Sequence, residues 1–346
     1  MKQYYYCGDK LFISKIKALE YSDRTGVPAK YYYHDDVYDT VAWKIEPKES
    51  LDALYLNQAK RLREKYDYLI LCYSGGSDSS NILETYHFNN IKLDKIVTVG
   101  ALSQDSRSGV DENHNGELYH NVFPYIEKLG LSSITEVVDY TKYFNNVENF
   151  SLHQYGEDWI DYVGAWFSPH HWFWRDFEKF VVPHQWRSKK VAIIFGKDKP
   201  ALTVQEDGKM GFRFVDNAVS GYGNVETYDN SDRINFYWDP TYPDILVKQI
   251  HVLKRAYQVS KTMQHTTLTK AQVLSGLSVN DLVYSLRQKL VFESPKSKSS
   301  LLSVRDLYLR DKKTEDVYKF YQLGINHLKN KIPNKPQPVF SKLYEV

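Results

Sequence analysis

The sequence predicts an α/β protein built on a parallel, doubly wound sheet with a C-terminal helical region. Short apolar runs alternate with helical stretches between residues 66 and 200, as in a sheet covered on both faces. The first of these runs ends in a glycine-rich turn that opens a helix. From Pro243 onward the strand pattern stops and helices alone continue.

Residues 1–49 mix aromatic runs, Tyr4-Tyr5-Tyr6 and Tyr31-Tyr32-Tyr33, with acidic turn residues, and read as a small irregular N-terminal extension. Ser50 is a good N-cap. After it Leu51, Leu54, Tyr55, Ala59, Leu62 and Tyr66 recur at helical spacing, which predicts about four turns. The run 67–73 (DYLILCY) reads as a buried parallel strand, because it is apolar almost throughout and stops at Ser74-Gly75-Gly76. A helix over 78–88, a strand over 95–101, a helix over 116–129 and a strand over 134–138 follow in alternation. The polar stretch 103–115 leaves the carboxyl end of the second strand, where loops of an open α/β sheet face the ligand crevice.

Further on, 158–180 reads as a long helix carrying Trp159, Trp166, Trp172 and Trp174. The run 191–195 (VAIIF) is another buried strand, and Asp207-Gly208 between alternating residues predicts a hairpin within 203–215. A boundary near residue 240 gives three parts: the extension 1–49, an α/β domain 50–240 and a helical region 241–346. Helices are expected at 243–260, 269–291, 300–311 and 315–330, with an extended surface tail from Pro333.

The chain of 346 residues is long enough for this core, and its 42% hydrophobic and 25% charged content is that of a globular protein. Lys and Arg total 45 against 43 for Asp and Glu, so no global field draws nucleic acid or membrane, and any polyanion site must be local. Two cysteines, Cys7 and Cys72, exclude a disulfide framework and a four-cysteine zinc site and fit a reducing compartment. No stretch reaches the roughly 18 apolar residues of a membrane span, and the first residues lack a signal-peptide core. A soluble, cytoplasmic chain without membrane contact is therefore expected.

One motif carries chemistry: Ser74-Gly75-Gly76-Ser77-Asp78-Ser79-Ser80, between strand and helix. The glycines allow close backbone approach to a ligand, and the N–H groups opening the helix form an anion cradle. The hydroxyls of Ser74, Ser77, Ser79 and Ser80 add donors. Asp78 is repelled by a phosphate in that cradle unless a divalent cation lies between them, and magnesium, with its preference for oxygen, suits the role. The plainer alternative is a helix cap on a glycine turn.

This Ser-Gly-Gly-x-Asp-Ser run after an apolar strand resembles the pyrophosphate-binding loop of the PP-loop, or N-type, ATP pyrophosphatases, a group that includes asparagine, NAD, GMP and argininosuccinate synthetases. It lacks the Gly-x-x-x-x-Gly-Lys of a Walker A loop. The resemblance in pattern extends over about residues 66–200. It implies an adenine nucleotide alpha hydrolase-like fold, with ATP and Mg2+ as cofactors. ATP would be cleaved between its α and β phosphates, and a substrate oxygen, of a carboxylate or carbonyl, would be adenylated.

On that resemblance, Ser74, Gly75, Gly76, Ser77, Asp78, Ser79 and Ser80 hold pyrophosphate and its metal, while Gly100 and Ala101 lie near adenine or ribose. Asp198 is the candidate second magnesium ligand, and Lys197 and Lys199 the candidates to balance charge on the leaving oxygens. The run Gly196-Lys197-Asp198-Lys199-Pro200 departs from the corresponding run of asparagine synthetase, and a charged surface turn is its alternative reading. Lys248, and Lys296 and Lys298 in a Ser/Lys loop suited to a lid, are candidate phosphate contacts, each with a solvated face as alternative.

Absences narrow the expectation. Two lone cysteines do not suit thiolation chemistry, and Cys72 reads as a core residue. Residue 2 is Lys2, and 1–49 are too few for a glutaminase domain, so nitrogen is expected from free ammonia, an amine substrate or a separate ammonia-supplying protein. The adjacent His170 and His171 are poor joint metal ligands. The leading expectation is an AMP-forming ligase acting on a small molecule. One alternative is a nucleic-acid modifying enzyme that uses the basic 285–331 region, where eleven Lys or Arg face five Asp or Glu. The other is an ATP-binding regulator without chemistry.

Overall fold

A computed structural model describes residues 4–12, 14–100, 102, 115–139, 177–196, 202–205, 207–216, 230–267 and 339–346, together with positions 323, 326, 327 and 330. Its centre is a five-stranded sheet in the order β10-β7-β4-β5-β6. The strands are β4 (Tyr68–Cys72), β5 (Lys95–Gly100), β6 (Thr135–Asp139), β7 (Val191–Phe195) and β10 (Ser231–Asn235), all parallel. In register, Ile70 of β4 stands beside Ile193 of β7 and Lys95 of β5.

The strand that comes first along the chain, β4, lies in the middle. Strands β5 and β6 are added on one side of it, and β7 and β10 on the other. The chain therefore reverses its direction of travel across the sheet at the β4/β7 pair. Loops leaving the carboxyl ends of such a pair diverge and open the crevice in which α/β sheets take ligands.

Side chains alternate between the two faces of a strand, and the burial follows that period. Leu69 and Leu71 of β4, Ile96 of β5, and Ala192 and Ile194 of β7 join the large core that also holds Leu54, Tyr55, Ile82 and Tyr86. Ile70, Val97, Ile193 and Phe195, one step out of phase, are also buried. Phe195 meets the Phe177 ring at 6.3 Å. Leu69, Ile70 and Leu71 are fully covered, and each contributes about 2 kcal/mol by leaving water.

Helix α3 (Leu51–Lys65) starts where its cap predicts, with the Ser50 hydroxyl accepting from the Ala53 N–H at 3.2 Å. Arg63 at its end donates to Asp94 at 2.6 Å, and Asp94 accepts from the Leu69 N–H at 2.8 Å, so α3 and the start of β4 are tied together. Helix α4 (Ser77–Phe88) follows β4 directly. The helix expected at 116–129 begins as a π-turn, Leu118–Val122, and continues as the α-helix Phe123–Lys128. Pro124 has no N–H for the carbonyl of His120, and the ladder widens just before it, the Phe123 N–H reaching back to Leu118.

The N-terminal residues form more structure than the irregular extension expected of them. Strands β1 (Tyr5–Cys7), β2 (Lys10–Phe12) and β3 (Lys30–Tyr31) make an antiparallel sheet, with helix α1 (Lys15–Thr25) between β2 and β3 and the short helix α2 (Asp35–Tyr38) after β3. The buried Lys15 pairs with Asp216 at 2.7 Å, and Asp216 also accepts from the Tyr5 hydroxyl and the Val339 N–H. The hairpin signalled by Asp207-Gly208 is present as β8 (Leu202–Val204) and β9 (Met210–Phe212). The expectation of a surface tail is corrected for the last residues: β11 (Tyr344–Glu345) pairs with β9, and Tyr344 is only 3% exposed. Tyr344 stacks on Trp43 at 4.8 Å, and that aromatic burial holds the tail down.

The first helix expected beyond residue 240 is Asp244–Thr267, which packs on α3. The expected helices at 269–291 and 300–311, and most of those at 315–330 and 158–180, lie outside the described residues. Among the described residues no helix is long and apolar enough to cross a membrane.

Candidate functional site

The motif serines and glycines sit at the carboxyl end of β4, at the point where the sheet order reverses. Tyr73 follows the strand directly, and its N–H donates to Val97 of β5 at 2.8 Å. The chain then turns through Gly75 at φ +74°, a left-handed conformation that costs an L side chain about 1 kcal/mol. Space also excludes a side chain there, since a β-carbon on Gly75 would lie 2.9 Å from Cβ of Asn121. The π-turn thus forms one wall of the loop.

Gly76 is the N-cap of α4 and brings no side-chain acceptor, so the donors of the first turn, at the positive end of the helix dipole, meet no capping group from it. The seven motif residues divide by burial. Ser74 is exposed, and Ser77 and Asp78 are half-buried, with the Ser77 hydroxyl donating to the Asp78 carboxylate at 3.2 Å. Ser79 and Ser80 are buried and brace the loop from within. The Ser79 hydroxyl donates to the Gly76 carbonyl and accepts from the Ser74 N–H, both at 3.2 Å. Ser80 shares a 3.2 Å hydrogen bond with the Tyr73 hydroxyl.

A second strand end closes on this turn. Gly196, the residue after β7, stands so near the helix start that a β-carbon on it would lie 2.8 Å from the Ser79 nitrogen and 3.0 Å from the Asp78 carbonyl carbon. The run Lys197-Asp198-Lys199 continues directly from that contact. Those three residues themselves, and Ala101, Lys296 and Lys298, lie outside the described residues. Gly100 is at the end of β5, facing Asp139 of β6, and is packed so closely that a β-carbon would strike Leu118.

Lys248 is not brought to the loop. Its ammonium is held by the Glu46 carboxylate at 2.8 Å and the Pro47 carbonyl at 2.9 Å, in a mostly buried pocket between the Asp244–Thr267 helix and the segment before α3. Cys72 is a strand residue whose thiol is pushed up by burial, which suits a core position rather than a nucleophile.

Two contributors carry no sequence signal. Tyr237, two residues beyond β10, donates its hydroxyl to the Asp78 carbonyl at 2.7 Å and accepts from the Asn81 amide at 3.1 Å. Asn121 and Val122, which wall the loop, belong to a π-turn that helical periodicity does not reveal. Among the described residues no three His, Cys, Asp or Glu side chains gather as a metal site. Magnesium bound to phosphates needs only one or two protein carboxylates, so a site of that kind does not require such a cluster.

No protein-family model matches the chain, and no curated protein matches it. Fold and site together define a Rossmann-like α/β protein, its parallel sheet flanked by helices in the arrangement of the adenine nucleotide alpha hydrolases. That architecture is consistent with nucleotide binding, and its turn from strand to helix after β4 lies at the β4/β7 edge.

Proposed function

We propose that the protein is an AMP-forming ligase of the PP-loop type, which binds ATP with Mg2+ at the turn between β4 and α4. The observation that carries this reading is the convergence on one helix start of a glycine N-cap that brings no side chain, a left-handed Gly75 and the backbone of Gly196 from the neighbouring strand. Such a close backbone cradle suits a pyrophosphate group, which needs N–H donors and no Cβ in the way.

In this reading the first turn of α4, with the hydroxyls of Ser74 and Ser77, binds the departing pyrophosphate. Ser79 and Ser80 keep the turn rigid. A magnesium ion held by Asp78 would neutralise charge on the phosphate oxygens. Asp198 is its second carboxylate, and Lys197 and Lys199 offset charge on the bridging oxygen. They follow Gly196, whose backbone already abuts the Asp78–Ser79 peptide. Gly100 and Ala101 face the adenosine, and Lys296 and Lys298 act from a covering loop.

The chemistry balances without redox. A substrate oxygen attacks the α-phosphorus, the bond to the bridging oxygen breaks, and pyrophosphate leaves with the electron pair. Ammonia or an amine then attacks the adenylated carbon, AMP departs with the carbon–oxygen bonding pair, and the nitrogen gives a proton to solvent. Ammonia comes from solution or from a separate protein.

The test is product analysis of α-labelled ATP with magnesium, ammonia and fractionated cell extract, beside Asp78→Ala. AMP and pyrophosphate from the unaltered protein, absent in the variant, are expected. ADP as sole product overturns the reading. Activity confined to the nucleic-acid fraction would move the substrate class to polynucleotide, and ATP binding without turnover in any fraction would favour a regulator.

A further inference from the structure

We infer that Tyr237 is a positioning residue for Asp78, acting through the backbone and not on the ligand. The inference rests on the nucleotide reading above and adds to it a residue outside the loop. The Tyr237 hydroxyl donates to the Asp78 carbonyl at 2.7 Å while accepting from the Asn81 side chain, one turn further along the same helix, at 3.1 Å. One phenol therefore spans the first turn of α4 and fixes the rotation of the helix about its axis. The direction in which the Asp78 carboxylate leaves the helix follows from that rotation.

The mount for this phenol is rigid. Tyr237 is fully buried, and its ring meets Tyr55 edge-on at 5.6 Å and 80°. The Tyr55 hydroxyl in turn accepts from Gln249 at 2.9 Å. The turn around Tyr237 is fastened at four further points. The Phe236 N–H bonds to Phe195 of β7 at 3.1 Å, and the Trp238 carbonyl accepts from the Tyr38 hydroxyl at 2.7 Å. Asp239 accepts from Gln58 at 2.9 Å and from the Thr241 hydroxyl at 2.8 Å.

The Asp78–Ser79 peptide is thus held by two neighbouring strand ends, Gly196 after β7 and Tyr237 after β10. Burial, and after it the Asp78 charge, push the phenol above its ordinary range. A side chain needed only for packing requires the ring; orienting Asp78 requires the oxygen.

The experiment is a magnesium titration of ATP binding by calorimetry on the full chain, comparing the unaltered protein with Tyr237→Phe, Asn81→Ala and Tyr86→Phe. Tyr86 serves as the control because it is a buried tyrosine of the same helix whose hydroxyl has no hydrogen-bond partner among the described residues. Tyr237→Phe is expected to raise the magnesium concentration for half-maximal binding about fivefold, the usual weight of one hydrogen bond. Asn81→Ala should move it the same way by less, and Tyr86→Phe should not move it. Should Tyr237→Phe fail to fold, Asn81→Ala still decides. Magnesium dependence unchanged in the folded variants, or shifted equally by Tyr86→Phe, overturns the positioning role alone. Absence of magnesium–ATP binding by the unaltered protein overturns the nucleotide reading instead, and the positioning role with it.

Discussion

Gly196 and Ser79 meet backbone to backbone: the space where Gly196 lacks a β-carbon is 2.8 Å from the Ser79 nitrogen. A main-chain neighbour cannot swing aside as a flexible side chain can, so the contact fixes how closely the β7 edge approaches α4.

Gly196→Ala should therefore force β7 and the α4 turn apart. Overpacking of this kind costs about 2 kcal/mol. The expected result is a lower midpoint in urea together with weakened ATP binding. Unchanged stability and binding would show that the two strand ends separate freely.

Asp78→Asn is expected to separate stability from chemistry. The side chain is half-buried at a helix start and its removal of charge leaves the packing intact, so thermal stability should change by no more than about 0.5 kcal/mol. Magnesium-dependent AMP release should fall by about a hundredfold or more, as when one charge-stabilising group is lost. Labelled-ATP turnover beside a thermal melt measures both.

Glu46 gives the pH prediction. Burial alone would raise its carboxyl, but hydrogen bonds and charge from Arg255 and Lys248 outweigh that and hold it at about 2, against an ordinary 4.5. A carboxyl depressed in the folded state stabilises fully above its unfolded value and loses that contribution as pH falls through the folded one. Glu46→Gln should therefore cost about 1 kcal/mol at pH 7, after allowance for partial exposure. The difference from the unaltered protein should shrink between pH 4.5 and pH 2. Denaturant melts across that window check the sign, and a gap that widens on acidification contradicts it.

Lys15→Ala should be the most damaging surface-distant change. It removes the Lys15 ammonium, at 2.7 Å, from the Asp216 carboxylate, which has no exposed surface. Breaking one side of a buried pair costs about 3 to 5 kcal/mol. Loss of that magnitude in a chemical melt, with the two termini becoming susceptible to proteolysis together, is the expected outcome.

The central sheet was legible because its strands declare themselves. The runs 67–73, 95–101 and 191–195 read as mostly apolar, as strands covered on both faces do, and Gly75-Gly76 marks where the first one ends. Strand β10 escaped because Ser231-Asp232-Arg233-Ile234-Asn235 lies at the sheet edge, and only Ser231 and Ile234 are buried. The N-terminal strands escaped because two or three residues are too few to show a period of two. Tyr237 could not be read at all: it acts through a phenol on a main-chain carbonyl far away in sequence, and no spacing records such a contact.

The order of strands also sets when the site can exist. The loop after β4 is synthesised early, but the backbone that closes on it arrives only with β7, and the phenol that steadies it only after β10. A nascent chain that has emerged as far as α4 carries the whole serine–glycine motif with none of its later walls. The cradle is therefore complete only once residue 237 has been added, and no fragment ending before residue 237 contains every part of it.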